Sequence, residues 1–302
     1  MAILDRFVRA LDRFQQSHRL PAFAVAVVKR YGEDKAGSKT ALLTYYGFLS
    51  LFPLLLLLTT ATNYVIGSYP HLQDAAIRGV TSYFPLLGNQ LAEQVQGLHR
   101  SGLALIVGVL FTIYGARGAA DAFRKGVQQV WKVPESQRDT FPKSLLKSLA
   151  LLLVGAVGFV TASVLATMAA TAGQSLAFRA LSLLLDAFLL FWVFNFLLDF
   201  SLPKRLPLKE TRVGAAVAAI GWVILQSLGG IILAHQLKHL DALYSYFAIA
   251  LGLMFWLYLQ AQILYYAMEI AYVHSHKLWP RSISGSLPTE VDKKLQARGS
   301  RG

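Results

Sequence analysis

The sequence has no cysteine among its 302 residues, and only 15% of them are Asp, Glu, Lys or Arg. The first absence excludes disulfides and thiolate metal sites. The second departs from soluble domains, which carry about 25% charged residues. Motifs of catalysis are missing too: there is no G-x-S-x-G, no P-loop and no paired-carboxylate domain. The first residues, "MAILDRFVRALDRFQQSHRL", have no uninterrupted apolar core, so no cleavable signal peptide is expected.

What fills the chain instead is long uncharged runs. They extend over Thr40 to Gln73, Ser101 to Ala116, Ser148 to Phe178, Val213 to Leu237 and Ala242 to Met268. A bilayer-spanning helix needs roughly 17–25 mostly apolar residues. Four runs satisfy this alone, and the run from Ser101 does so by extending past Arg117 to Ala120. A sixth, about Ala180 to Phe200, is interrupted only by Asp186 before it ends at Asp199. The reading is an all-α polytopic membrane protein with six transmembrane helices.

The net charge of +13 is a topology signal. Of 29 Lys and Arg, eight precede the first span, seven lie between spans two and three, four between spans four and five, and six after the last. Only Arg78, Arg100, Arg179 and Lys238 fall on the other side. This asymmetry places both termini in the cytoplasm. The partners it implies are membrane lipids, with anionic headgroups at the basic loops, and no nucleic acid. A ribonuclease would need an exposed folded domain to hold RNA, and no segment outside the spans is long enough. No cofactor is implied, and the oligomeric state is not legible.

Three regions follow: a cytoplasmic arm over 1–40, the six-helix domain over 41–275 and a polar tail over 276–302. In the arm, Ile3, Leu4, Phe7, Leu11 and Phe14 share a helical face. That helix either lies on the membrane surface or packs on the protein's own loops. The tail is small, polar and charged, and reads as disordered. In the outer connection, Leu87, Leu91, Val95 and Leu98 suggest a second amphipathic helix. Small residues four apart, such as Gly214 and Ala218, mark close helix packing. Pro53, near the middle of the first span, should kink it.

Ionisable groups inside spans normally face the bundle interior or water. Spans two, four and six run outside to inside, which puts Arg117 and Asp121, Asp199, and Glu269 near cytoplasmic helix ends. Asn195 stands one turn above Asp199. Tyr258, Gln262, Tyr265, Glu269 and Tyr272 recur at steps of 4, 3, 4 and 3, one polar and aromatic stripe on the last helix. Together these describe a polar vestibule open to the cytoplasm, with Arg117 the cation available to Asp199 or Glu269. Snorkelling of each group to the interface is the alternative. Asp186 and Gln226 lie deeper. His235 and His239, with Asp241, have a spacing that can bind metal but no further ligand, and His274 and His276 form an isolated H-x-H.

The stretches "ALLTYYGFLSLFPLLLLL", "VWKVPESQR" and "FWLYLQAQILYYAMEIAY" together resemble the YihY/BrkB family of bacterial inner-membrane proteins, over about Ala41 to Val273. The resemblance implies six spans with both ends cytoplasmic, and the family's older label of ribonuclease BN is a misassignment. Gln128 stands where the family has Asn, and Ala267 and Met268 stand where it has a Gly before the last-helix Glu; Glu269 itself matches. Two functions are expected from these residues. One is a transporter or flippase for a lipid-like or amphiphilic solute, which uses the vestibule. The other is a scaffold or envelope-assembly factor, in which the polar groups lock the bundle.

Overall fold

The protein is described by a computed structural model covering residues 2–65, 102–171, 176–204, 206–237, 245–283 and 288–299. Among the described residues there is no strand. The helices are α1 (Ala2–Ser17), α2 (Arg19–Glu33), α3 (Ala36–Val65), α4 (Gly102–Val130), α5 (Lys143–Thr171), α6 (Leu176–Phe200), α7 (Leu208–Leu237), α8 (Ser245–His276) and α9 (Glu290–Gly299). One 3-10 turn, Glu135–Gln137, sits between α4 and α5. The outer connection, with Leu87, Leu91, Val95 and Leu98, lies outside the described residues, as do His239 and Asp241. Helix α3 runs through Pro53 as one element.

The long helices form a closed ring in chain order: α3 on α4, α4 on α5, α5 on α6, α6 on α7, α7 on α8 and α8 back on α3. Helix α2 lies against α8 and α3, and α1 packs on α2. The distribution of apolar side chains is the reverse of a soluble bundle's. Buried positions of α7 include Ala215, Ala218 and Ala219 beside Trp222 and Leu225, while Ile220, Ile224 and Leu228 on the same helix face outward. Leu153 on α5 and Leu184 on α6 are both 67% exposed. Ala180–Phe200 and Leu208–Gly229 are each long and apolar enough to cross a membrane, and only 39% of each apolar window is buried. A soluble core helix of that composition would be mostly covered. These faces need an apolar solvent.

Small residues set how closely helices approach. At Gly214 an added Cβ would meet the Ala267 carbonyl oxygen and the Ala271 Cβ at 2.7 Å, so α7 and α8 touch backbone to backbone. Larger groups fill the adjacent space: Phe159, Phe194 and Trp222 form an aromatic cluster with centroid separations of 5.0 to 5.9 Å.

The ends of α4 and α8 use the same device. Val133 N–H donates to Gln128 O and Lys132 N–H to Gln129 O, while Leu278 and Lys277 repeat the pattern on Val273 and His274. This is the Schellman arrangement, with lysines at φ 54° and 52° where glycine is usual. Left-handed backbone costs a non-glycine residue roughly 1–2 kcal/mol. At Lys132 the turn places the ammonium against Asp34.

The tail was expected to be disordered, yet α9 is a helix with a reciprocal cap. Thr289 Oγ1 accepts from Asp292 N–H at 3.2 Å, and Asp292 Oδ2 accepts from Thr289 N–H at 3.2 Å. The sequence "TEVD" spells this capping box, a signal that outweighs the polar composition. In α1 the buried residues are polar, Asp12 and Gln15, while Leu11 and Phe14 are 47% and 57% exposed. Leu11 and Phe14, the members of the apolar face whose side chains the structure describes, are thus not covered by the protein's own loops.

Candidate functional site

One end of the ring collects charged residues that the sequence separates. Glu269, fully buried on α8, faces Arg30 of α2, with Nε to Oε2 at 3.2 Å. The approach is too oblique for a hydrogen bond, and neither Glu269 oxygen accepts one. Arg30 Nη2 donates to Val130 O at 3.1 Å and lies 3.3 Å from Asp34 Oδ2. Its guanidinium carbon sits 3.9 Å above the Tyr272 ring. Lys132 closes the chain on Asp34, whose backbone carbonyl accepts from Gln129 Nε2 at 2.7 Å. Arg30 thus joins α2, α4 and α8 at one point.

The expected pairing of Arg117 with Glu269 or Asp199 is corrected by this geometry. Arg117 is exposed on the outer face of α4, and the cation at Glu269 comes from the N-terminal arm. Asp121 pairs with Arg124 at 2.8 Å and Lys125 at 2.7 Å. Asp199 accepts from Leu206 N–H at 2.9 Å and so shapes the turn between α6 and α7. Asn195 Oδ1 accepts from Thr211 at 2.6 Å, joining the same helices. Both are packing bonds. Of the stripe on α8, Tyr265 and Glu269 are buried, and Tyr258, Gln262 and Tyr272 are half-buried. Asp186 is buried, and its Oδ1, like Gln226 Oε1, has no hydrogen-bond partner. His276 stacks on Tyr272 with centroids 4.0 Å apart, and His274 lies against Trp279. Among the described residues no three His, Asp or Glu groups converge as metal ligands.

The sequence reading missed Arg30, Asp34 and Lys132, because it counted Arg30 and Lys132 only as basic charge outside the spans and did not weigh Asp34. The i, i+4 spacing of Arg30 and Asp34 on the apolar helix "AFAVAVVKR" was the available signal. It also missed the tail's attachment. Arg281 binds Glu33 through both amino groups, at 2.7 and 2.9 Å, and its Nε donates to Asp292 at 3.0 Å. Ser282 donates to Asp12 at 2.7 Å, and Gln15 Nε2 to Arg281 O at 2.6 Å. A cavity of about 660 Å³, lined by both signs of charge, lies between α2, Lys132 and the tail.

Burial pushes the Asp292 carboxyl up, but bonds from Ser282 N–H, Arg281 and Thr289 outweigh it and hold it at about 2. Asp12 is lowered by its Ser282, Gln15 and Ile283 bonds against the same opposing burial. A free Asp titrates near ~3.9. A depressed folded value means that docking strength is present above pH ~4 and drains as pH falls towards 2. Hydrogen exchange of the α9 amides, corrected for the intrinsic rate, should therefore rise steeply between those limits. Asp292→Asn should show fast exchange already at neutral pH. A flat wild-type profile would mean that the carboxylates do not hold the tail.

A second cavity, of about 360 Å³, occupies the centre of the ring and is lined from all six long helices. Leu43, Phe123, Leu151, Phe159 and Leu264 make it apolar, with Gln260, Thr44 and Ser50 as polar members. Gly155 borders it, and a Cβ added there would meet nothing within 4 Å. The vestibule residues named from the sequence do not line this space.

Comparison with known proteins agrees with a membrane setting. The chain is 26% identical to "Putative ribonuclease-like protein YfkH" of Bacillus subtilis (strain 168), over 86% of this chain and 98% of that protein. It is 24% identical to "Inner membrane protein YhjD" of Escherichia coli (strain K12), over 82% of this chain and 80% of that protein. A "UPF0761 membrane protein" of Alcanivorax borkumensis matches at 26% over 46% of this chain and 32% of its own length. No solved structure matches. The family described as "Virulence factor BrkB" matches residues 27–285, which takes in the ring, Arg30 and the first part of the tail, Arg281 and Ser282 included. With outward apolar faces, membrane-named relatives and a match over most of its length, this chain is a membrane protein that belongs to the BrkB family.

Proposed function

We propose that the protein is a transporter or flippase-like protein of the bacterial inner membrane, acting on a lipid-like or amphiphilic solute. The observation that carries this reading is the central apolar cavity bounded by all six long helices. Its volume lies in the ~300–1,000 Å³ range of small-molecule sites. A bundle built only for rigidity gains nothing from an unfilled centre, because lost contacts cost stability.

The test uses Gly155, which borders the cavity and where an added Cβ meets nothing within 4 Å. In proteoliposomes carrying a fluorescent phospholipid, Gly155→Leu should cut flux several-fold. Its unfolding temperature should hold or rise, because glycine inside a helix costs roughly 0.5–1 kcal/mol relative to alanine. Wild-type protein without flux, or a variant as active as wild type, would remove the transport reading.

In this reading α3 to α8 each cross the membrane, with both chain ends in the cytoplasm. The basic-loop asymmetry supports it. So does the gathering of helix ends at Arg30, where α4 and α8 finish, with Gln128 bonded to Ser201 O and Lys147 to Leu202 O beside them. The outward Leu11 and Phe14 of α1 suit a helix lying on the inner leaflet. Reporter fusions at Gly88 and Gly302 should report opposite sides of the membrane; agreement between them would sink the six-span count.

The scaffold alternative is favoured by a different observation, the closed charge chain through Arg30, which ties the arm, α4 and α8 together. A scaffold would keep its cellular role in Gly155→Leu and lose it with Arg30. Neither reading assigns a catalytic residue.

A further inference from the structure

The ring around the central cavity is weakest between α4 and α5. A Cβ added at Gly115 of α4 would meet the Ser50 backbone of α3 at 2.7 Å, and one at Gly158 of α5 would meet Val193 of α6 at 2.5 Å. Each of these helices is therefore tight on its other neighbour. Gly155, one turn before Gly158, meets nothing, and among the described residues α4 and α5 are the most thinly joined neighbours in the ring. The cavity lining at this seam is small, with Ala116 and Ala119 on α4 and Gly155 and Ala156 on α5. Ala156 is exposed and Ala116 and Ala119 are half-buried, beside the outward Ile113, Leu153 and Val157. The seam thus leads from the outward apolar surface into the cavity.

Arg117 stands at this mouth, between Ala116 and Ala119 in the chain, and it is exposed. Leu110, Ile113 and Tyr114 on the turns before it are exposed as well, so that side of α4 meets hydrocarbon. Among the described residues Arg117 has no ion pair or hydrogen bond. Asp121, one turn on, gives one oxygen to Arg124 and the other to Lys125. By helical rise Arg117 lies about 10 Å further along α4 than the paired Arg124, towards the middle of the span. A cation on a lipid-facing surface is costly unless an anion or water comes to it. The cavity cannot provide that anion, because its lining contains no Asp or Glu.

We propose that a phospholipid of the inner leaflet docks at the α4–α5 seam, with its phosphate on Arg117 and one acyl chain passing between Ala116, Ala119 and Ala156 into the cavity. The proposal rests on the transport reading of the same cavity, and it names the substrate class and the side of entry. The surface divides as the lipid does. A planar guanidinium outside matches a phosphate. The uncharged hollow inside accepts a hydrocarbon chain and rejects the headgroup. A neutral diacylglycerol would leave Arg117 unpaired, and a free phosphate has no route to it through hydrocarbon.

The experiment uses a phosphatidylglycerol with a diazirine near the end of one chain, in vesicles containing the full-length protein. After photolysis, adducts are mapped by peptide mass spectrometry. They should concentrate on the cavity faces of α4 and α5 and reach Phe159 and Leu264 inside. A diacylglycerol with the same labelled chain should give about tenfold fewer, the scale of one charge-assisted hydrogen bond. Arg117→Gln should bring the phospholipid down to the diacylglycerol level, and Arg117→Lys should restore much of the difference. Ala156→Trp, at an exposed position in the seam, should cut the adducts at Phe159 and Leu264 several-fold. Excess inorganic phosphate should change nothing; loss of labelling would identify a site for the free anion and overturn the proposal.

Flux of a fluorescent phosphatidylglycerol in the same vesicles separates the two claims. Labelling of the cavity that depends on Arg117, without any flux, keeps this inference and removes transport. Flux accompanied by adducts spread over the outer faces, and indifferent to Arg117 and Ala156, keeps transport and overturns this inference. Equal labelling of wild type by the phospholipid and the diacylglycerol overturns it without recourse to any variant.

Discussion

Arg30→Ala should destabilise the protein by roughly 3–5 kcal/mol, the cost of leaving a buried carboxylate without its cation. The loss is large because one guanidinium serves Glu269, Asp34, Val130 O and the Tyr272 ring together. Glu269→Ala should cost less, since Arg30 keeps the other three partners. The double variant should cost less than the sum of the singles, as members of one network do. Arg30→Lys should rescue little, because an ammonium cannot reach partners on three helices with one planar fork. Arg117→Gln, at an exposed position, should change stability by no more than about 0.5 kcal/mol. Thermal unfolding in detergent of these five variants decides the matter. Additive effects of Arg30→Ala and Glu269→Ala would mean that the two groups do not act as a pair.

Gly214→Ala should cost about 1–3 kcal/mol, the range for forcing extra volume into a well-packed interior. The new methyl would sit 2.7 Å from Ala267 O, and that oxygen belongs to the backbone of α8, so the helices themselves must separate. The separation would also shift Ala271 and disturb the segment that carries Glu269. A matched Gly155→Ala should be neutral or stabilising, because open space surrounds that position. Unfolding temperatures of the pair are the measurement. If both variants behave alike, the close approach of α7 and α8 is not what glycine provides at 214.

The two glycines show where reading the chain stops. Both sit in apolar helical runs, and both look like packing positions. One faces a carbonyl of another helix and the other faces a cavity, a difference that depends on a partner far away in sequence. The stripe from Tyr258 to Tyr272 divides in the same way. Its period marked a helix face correctly, and Glu269 as its buried charge, yet the cation came from Arg30 rather than from Arg117. Arg30 precedes the first apolar run, where charge reads as topology.

What the sequence determined by itself was the solvent and the class of the fold. Long uncharged runs can only be satisfied as helices in an apolar medium, and that is a property of composition. The capping box of α9 was also local, and only its polar surroundings hid it. Tertiary structure alone decided which charges meet and which polar atoms stay unpaired. It also decided that α2 and the tail close over the end of the ring, and that a hollow remains inside it. Those outcomes depend on distances between segments up to 270 residues apart, as in Ser282 on Asp12, and no local pattern encodes such a distance.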